Sequence, residues 1–192
     1  MLLLLLLLLL LPPQDGSHTL THTQGCAGSR PSPRQLAEAL QHRDLYLYFG
    51  HGGGEQYVPL AALKRLARCA GALLMGCSSG RLRQAGLYEP SGPILGYLMA
   101  GCPTAVANLW DVTDRDIDRF AEQVLDCWGG HADCGDGGDG QASCGQRPEA
   151  GGGASVSASV AVGRRACRLP HLIGAAAVCY GLPARVRPPV DA

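Results

Sequence analysis

Short continuous apolar runs alternate with spaced apolar stripes through the middle of the chain. Leu45-Tyr46-Leu47-Tyr48-Phe49 lies between Asp44 and Gly50 and predicts a strand buried on both faces. Ala72-Leu73-Leu74-Met75 predicts a second strand, cut short by Gly76-Cys77-Ser78-Ser79-Gly80. Thr104 to Leu109 predicts a third. The stripes between them have helical spacing. Leu36, Ala37, Ala39 and Leu40 mark a short helix ending near His42. Leu60, Leu63, Leu66 and Ala70 mark another, with Lys64, Arg65 and Arg68 off its apolar face. Ser91 and Pro93 start a third helix that carries Ile94, Leu95, Leu98 and Met99. Thr113 and Asp116 have the spacing of a capping box. Ile117, Phe120, Ala121, Val124, Leu125 and Trp128 follow it on one face. Residues 129–155 are rich in Gly, Asp and Ala and read as a disordered insert. Order returns near Val156, with a helix over Val162–Arg168 and a last strand over Ala176–Tyr180. Strand and helix in alternation imply an α/β fold with a mostly parallel sheet flanked by helices.

The start of the chain has a different texture. Residues 2–11 are ten leucines, against the roughly 20 apolar residues a spanning helix needs. No Lys or Arg precedes the run, and Pro12-Pro13 follow where a signal-peptide cleavage site belongs. Residues 1–32 are therefore read as a low-complexity polyleucine start and linker, 33–183 as one domain and 184–192 as a tail. The 192 residues are 46% apolar and 17% charged, which is a globular composition. Sixteen basic and sixteen acidic residues cancel, so no overall field draws the chain to nucleic acid or anionic lipid. Arg164, Arg165, Arg168, Arg185 and Arg187 are too few to change that and read as solvated surface. No direct nucleic-acid or membrane partner is expected. Nine cysteines, an odd number, fall below disulfide-scaffold density.

Chemistry is expected beyond the carboxyl ends of the strands, where open α/β sheets bind ligands. His51 follows the first strand after one glycine, and Cys77 follows the second after one glycine. A helical segment joins the two strands, so they are able to lie side by side and parallel, about 4.8 Å apart. An imidazole and a thiol then share one sheet edge. Such a pair supplies a nucleophile and its proton acceptor. The thiol must be free, which favours a reducing compartment. The oxyanion formed by attack on a carbonyl needs N–H donors, and those of Gly52 and Cys77 are the candidates. The bland alternative is an inert buried Cys77 and a His51 in an ordinary glycine-rich turn. Asp111 follows the third strand at the same edge. Asp114 and Asp118 stand one helical turn apart beside the apolar stripe, while Arg115, Asp116 and Arg119 point away from it. These acids fit a substrate arginine, which carboxylates bind through paired charge-assisted hydrogen bonds. They equally fit the acid preference of a helix N-terminus.

Four strings then combine. Asp44-Leu-Tyr-Leu-Tyr-Phe-Gly-His-Gly-Gly-Gly54 resembles the catalytic-histidine motif of the separase family, and Met75-Gly-Cys-Ser-Ser-Gly80 its catalytic-cysteine motif. Met99-Ala-Gly-Cys-Pro103 with Asn108-Leu-Trp-Asp-Val-Thr-Asp-Arg-Asp-Ile-Asp-Arg119 resembles the family's most distinctive run. Leu172-Ile-Gly-Ala-Ala-Ala-Val-Cys-Tyr-Gly-Leu-Pro183 is similar to its C-terminal signature, with Ala177 where a proline is usual. The resemblance implies a caspase-like cysteine endopeptidase that uses no cofactor. It implies cleavage of the kleisin subunit of cohesin after an arginine at anaphase, inhibition by securin, and a nuclear and cytoplasmic location. It makes Cys77 the nucleophile and His51 its partner, and it assigns the substrate arginine to Asp118, with Asp111 and Asp114 nearby. Separases are far longer and have an earlier strand before the position of Asp44. The chain therefore reads as a fragment whose sheet is incomplete on its N-terminal side.

Two further readings stand beside this one. A catalytically inactive caspase-like module would keep the fold and bind partners without turnover. Cys127, His131, Cys134 and Cys144 supply four N/S ligands of the kind zinc takes, at a spacing unlike the familiar sets, and no metal is expected. The glycines at 52–54 lack both the Lys-Ser/Thr of a P-loop and the dinucleotide spacing, which argues against a phosphate site.

Overall fold

The continuous apolar runs become adjacent strands and the spaced stripes become the helices that cover them. The computed structural model describes residues 5–9, 23–27, 31–130 and 153–186. Its elements in chain order are β1 (Leu5–Leu9), β2 (Thr23–Ala27), α1 (Pro33–His42), β3 (Leu45–Phe49), α2 (Leu60–Leu63), β4 (Gly71–Leu74), α3 (Pro93–Met99), β5 (Thr104–Asn108), α4 (Asp114–Gly129), α5 (Val156–Gly163) and β6 (Ala177–Gly181). The strands form one sheet in the order β2-β1-β3-β4-β5-β6. The central β3, β4 and β5 are parallel. β1 and β2 on one side and β6 on the other pair antiparallel. The α/β class expected from the alternation is the one observed, with a parallel centre in a mixed sheet.

Strand side chains alternate between faces, and both faces are covered. Tyr46 and Tyr48 of β3 pack with Leu36 and Leu40 of α1, Leu63 of α2, and Ile94 and Tyr97 of α3. Leu45 and Leu47 of the same strand pack with Ile117, Phe120 and Val124 of α4 and with Val156 and Val160 of α5. Burial on both sides explains why β3 reads as an unbroken apolar run.

Several elements differ from the sequence expectation. Leu5–Leu9 runs antiparallel to β3, giving that strand a neighbour on the side where the sequence pointed to no partner. α2 stops at Leu63, because the chain beyond it is drawn into tertiary pairing. The N–H of Ala70 donates to Leu40 O and that of Gly71 to Asp44 O, while Arg68 pairs with Asp44 at 2.6 Å. α5 starts earlier than expected, capped by Ser155, whose hydroxyl accepts from Ala158 N–H. The chain turns through a short 3₁₀ segment at Arg164–Ala166 where the helix was expected to continue. At Thr113 no side-chain cap forms on α4. Asp116, the expected partner in that cap, is instead turned inward and buried. Most of the glycine-rich insert, residues 131–152, lies outside the described residues. Among the described residues no helix is long and apolar enough to cross a membrane.

Candidate active site

His51 and Cys77 meet where sequence spacing puts them. Beyond the ends of β3 and β4, their backbones form a parallel bridge that carries the strand pairing one step further. Gly76 makes this approach possible. A Cβ at that position would lie 2.1 Å from Gly52 O and 2.6 Å from Gly50 O. No other residue type fits so close to a neighbouring backbone.

The histidine loop is tied down from beneath. The Tyr48 hydroxyl donates to His51 O at 2.7 Å. The Gln56 amide donates to Tyr48 Oη at 2.8 Å and to His51 O at 3.1 Å. Burial pushes the Tyr48 hydroxyl up to about 12, so it remains a donor through the physiological range. Tyr97 donates to Gly53 O at 3.0 Å, and the Glu55 carboxylate accepts from Gly53 N–H at 2.7 Å. Gly52 and Gly54 take φ of 65° and 83°, the left-handed turns that swing the chain around His51. His51 itself is exposed and Gly52 half-buried.

The cysteine loop is held by the end of β5. The Asn108 side chain donates to Gly76 O at 3.1 Å, and its backbone N–H donates to Ser79 Oγ at 3.0 Å. Gly80 N–H donates to Asn108 O, and Tyr180 donates to Gly80 O. The half-buried Cys77 thiol donates to Val112 O at 3.3 Å, and Val112 N–H points back at the sulfur at 3.4 Å. Ser78 adopts φ of 54°. It is the only non-glycine residue with positive φ among those described, and backbone strain of this kind clusters at functional sites.

Asp111 is exposed and accepts from the Ser78 hydroxyl at 2.8 Å. Asp114 and Asp118 are also exposed, on the first turns of α4. Partial burial, with the Asp114 carboxylate next, raises the pKa of Asp118 above its ordinary value. Asp114 lines a recess with Thr113, Arg115, Asp116, Arg168 and Leu169. The inward acid of this helix is Asp116, not its neighbours. Its carboxylate accepts from Arg168 N–H at 3.0 Å and from Arg119 at 3.3 Å, so the face that sequence spacing gave to solvent binds the chain just past the 3₁₀ segment instead. Of the four residues with zinc-ligand character, only Cys127 is among those described. It is buried on α4 and accepts from the Gln123 amide.

The residues that sequence reasoning missed are those that position others: Tyr48, Gln56, Tyr97, Asn108, Ser79 and Ser78. Tyr and Asn inside apolar or loop strings carried the only signal. Buried polar groups must find partners, and here the partners are the two loops.

The family model described as "Separin, protease domain" matches residues 14–117. A separin of Emericella nidulans is 47% identical over 161 residues, 83% of this chain and 7% of that protein. The separin of Mus musculus is 44% identical over 169 residues, 88% of this chain and 7% of that protein. A crystal structure of the Saccharomyces cerevisiae separase-securin complex superposes with a TM-score of 0.67 at 39% identity, covering 81% of this chain and 9% of that one. The chain thus spans a small part of the length of each relative. The family model covers more than half of the chain and takes in both loops of the His51–Cys77 bridge, so the chain belongs to the separin protease-domain family.

Proposed function

We propose that the chain carries the catalytic centre of a cysteine endopeptidase that cuts after arginine. The observation that carries this reading is the pairing of His51 with Cys77 at the carboxyl ends of adjacent parallel strands. Cys77 loses its thiol proton to His51, and the sulfur adds to the carbonyl carbon of the scissile peptide. The N–H groups of Gly52 and Cys77 receive the oxyanion. His51 returns the proton to the leaving amine as the C–N bond breaks, leaving a thioester on Cys77. Water, deprotonated by His51, hydrolyses the thioester and restores the thiol. The guanidinium of the substrate arginine is held by Asp118, with Asp114 one turn away and Asp111 at the same edge.

Membership in the separin family supports the kleisin subunit of cohesin as substrate, released at anaphase, with the enzyme acting in nucleus and cytoplasm. Likeness to chains solved as separase-securin complexes supports securin as an inhibitory partner. The test is incubation of the chain with a kleisin-derived peptide bearing an acidic residue and an arginine before the scissile bond, read by mass spectrometry. Cleavage after arginine that disappears in Cys77→Ser and falls on addition of securin is the expected result. A folded chain that binds the peptide and leaves it intact would instead identify a non-catalytic binding module.

A further inference from the structure

We propose that the Ser78–Asp111 hydrogen bond is a clasp that sets the orientation of Cys77, which makes Asp111 a positioning residue and not a contact of the substrate arginine. This rests on the reading of Cys77 as the nucleophile.

Residues 77–78 lie against residues 110–112 through a ladder of polar contacts. Ser78 N–H donates to Trp110 O at 3.1 Å, and Ser78 Oγ donates to Asp111 Oδ1 at 2.8 Å. The Cys77 sulfur exchanges hydrogen bonds with both polar groups of the Val112 backbone. The strap is itself anchored, since the Trp110 indole donates to Leu172 O at 2.9 Å. Ser78 pays for its place in this ladder with φ of 54°, a left-handed conformation that a residue with a Cβ avoids unless its surroundings impose it. The hydroxyl–carboxylate bond is the contact that imposes it, and charge assistance makes it stronger than a neutral one. Because Ser78 follows the nucleophile directly, its backbone angles decide where the thiol points. Relaxing Ser78 to an ordinary φ would move the Cys77 thiol from its place against Val112.

The three candidate acids differ in the same sense. Asp111 has a partner on the nucleophile's own loop. The carboxylates of Asp114 and Asp118 make no hydrogen bond or ion pair among the described residues, and partial burial, with the Asp114 carboxylate next, raises the cost of charge on Asp118. A pair in need of a cation suits substrate binding, whereas an acid already committed to Ser78 suits positioning.

The experiment combines peptide cleavage with mass-spectrometric mapping of iodoacetamide alkylation at Cys77 under fixed pH, applied to the full chain and to Ser78→Ala, Asp111→Ala, Asp111→Asn and the Ser78→Ala/Asp111→Ala double variant. The clasp predicts that Ser78→Ala and Asp111→Ala each lower kcat and the Cys77 alkylation rate by about tenfold or more, the scale of a small misplacement of reacting groups. KM stays within about twofold. The double variant is no worse than the poorer single one. Asp111→Asn, which keeps an acceptor oxygen, recovers most of the loss. The proposal is overturned if Asp111→Ala raises KM for arginine peptides while alkylation stays unchanged and Ser78→Ala behaves like the native chain. A native chain that cleaves nothing would defeat the protease reading alone, because a matched fall in alkylation for both single variants would still report the clasp.

Discussion

Substituting Gly76 by alanine probes the contact on which the proposed His51–Cys77 dyad depends. The new Cβ would lie 2.1 Å from Gly52 O, 2.6 Å from Gly50 O and 3.0 Å from Gly52 N. All three are backbone atoms of the histidine loop, so no side chain is free to swing aside. The loop has to retreat by about 1 Å to restore van der Waals contact. It resists, because Tyr48 and Gln56 hold His51 O and Tyr97 holds Gly53 O. Overpacking of this kind costs about 1–3 kcal/mol, which for a domain of this size lowers Tm by about 2–12 °C. The catalytic cost is steeper. Displacing one member of a reacting pair by that distance costs about 100-fold in kcat. Thermal unfolding and steady-state peptide cleavage measured on one preparation separate the two effects. Gly86→Ala is the control, since its φ of 62° brings backbone strain but its Cβ meets nothing within 4 Å. Gly86→Ala therefore loses some stability and keeps native kcat. Undiminished kcat in a folded Gly76→Ala chain would refute the claim that close approach of the two loops sets the dyad.

Two other perturbations test separate parts of the site. Tyr48→Phe removes the hydroxyl that supports His51 O and should lower stability by about 1 kcal/mol, with a fall in kcat and little change in KM, read by chemical denaturation and cleavage kinetics. Asp118→Asn should raise KM for arginine peptides by about tenfold or more, the worth of a charge-assisted hydrogen bond, without lowering Tm at neutral pH. The sign follows from the raised pKa of Asp118. The folded state binds the proton more tightly than the unfolded one, so stability falls as pH rises through the window between the two values, and the ionised carboxylate is a cost to folding. Substrate affinity runs the other way. KM should climb on acidification as Asp118 protonates, along a limb lying above the ordinary aspartate range. Asp118→Asn should abolish that limb, and a limb that survives the substitution would assign the arginine contact elsewhere.

The parts of this fold legible in the sequence are those in which burial alone fixes the residue type. β3 could be read to the residue because both its faces are covered, which leaves no polar position to blur its ends. α4 could be read because one stripe of it meets the sheet. The positions of His51 and Cys77 followed from the same logic, as each stands one glycine past a legible strand. The rest depended on tertiary pairing that no local pattern encodes. The apolar spacing of Leu60 to Ala70 continues as a helix should, yet the chain leaves the helix to pair with Leu40 and Asp44. Asp116 has the spacing of a cap and faces inward only because Arg168 N–H and Arg119 lie there to receive it. A run of one residue type such as Leu5–Leu9 has no alternation from which a strand or its register could be read.

The two loops of the site are restrained by different side chains. The histidine loop hangs from tyrosines of β3 and α3, in the apolar layer on one face of the sheet. The cysteine loop hangs from Asn108 and Tyr180, at β5 and β6, and from the strap that leads into α4. They touch where Gly76 lets their backbones cross. Preorganisation by these anchors fixes the approach of the two backbones before any substrate arrives, which is why a single Cβ at Gly76 is enough to disturb it.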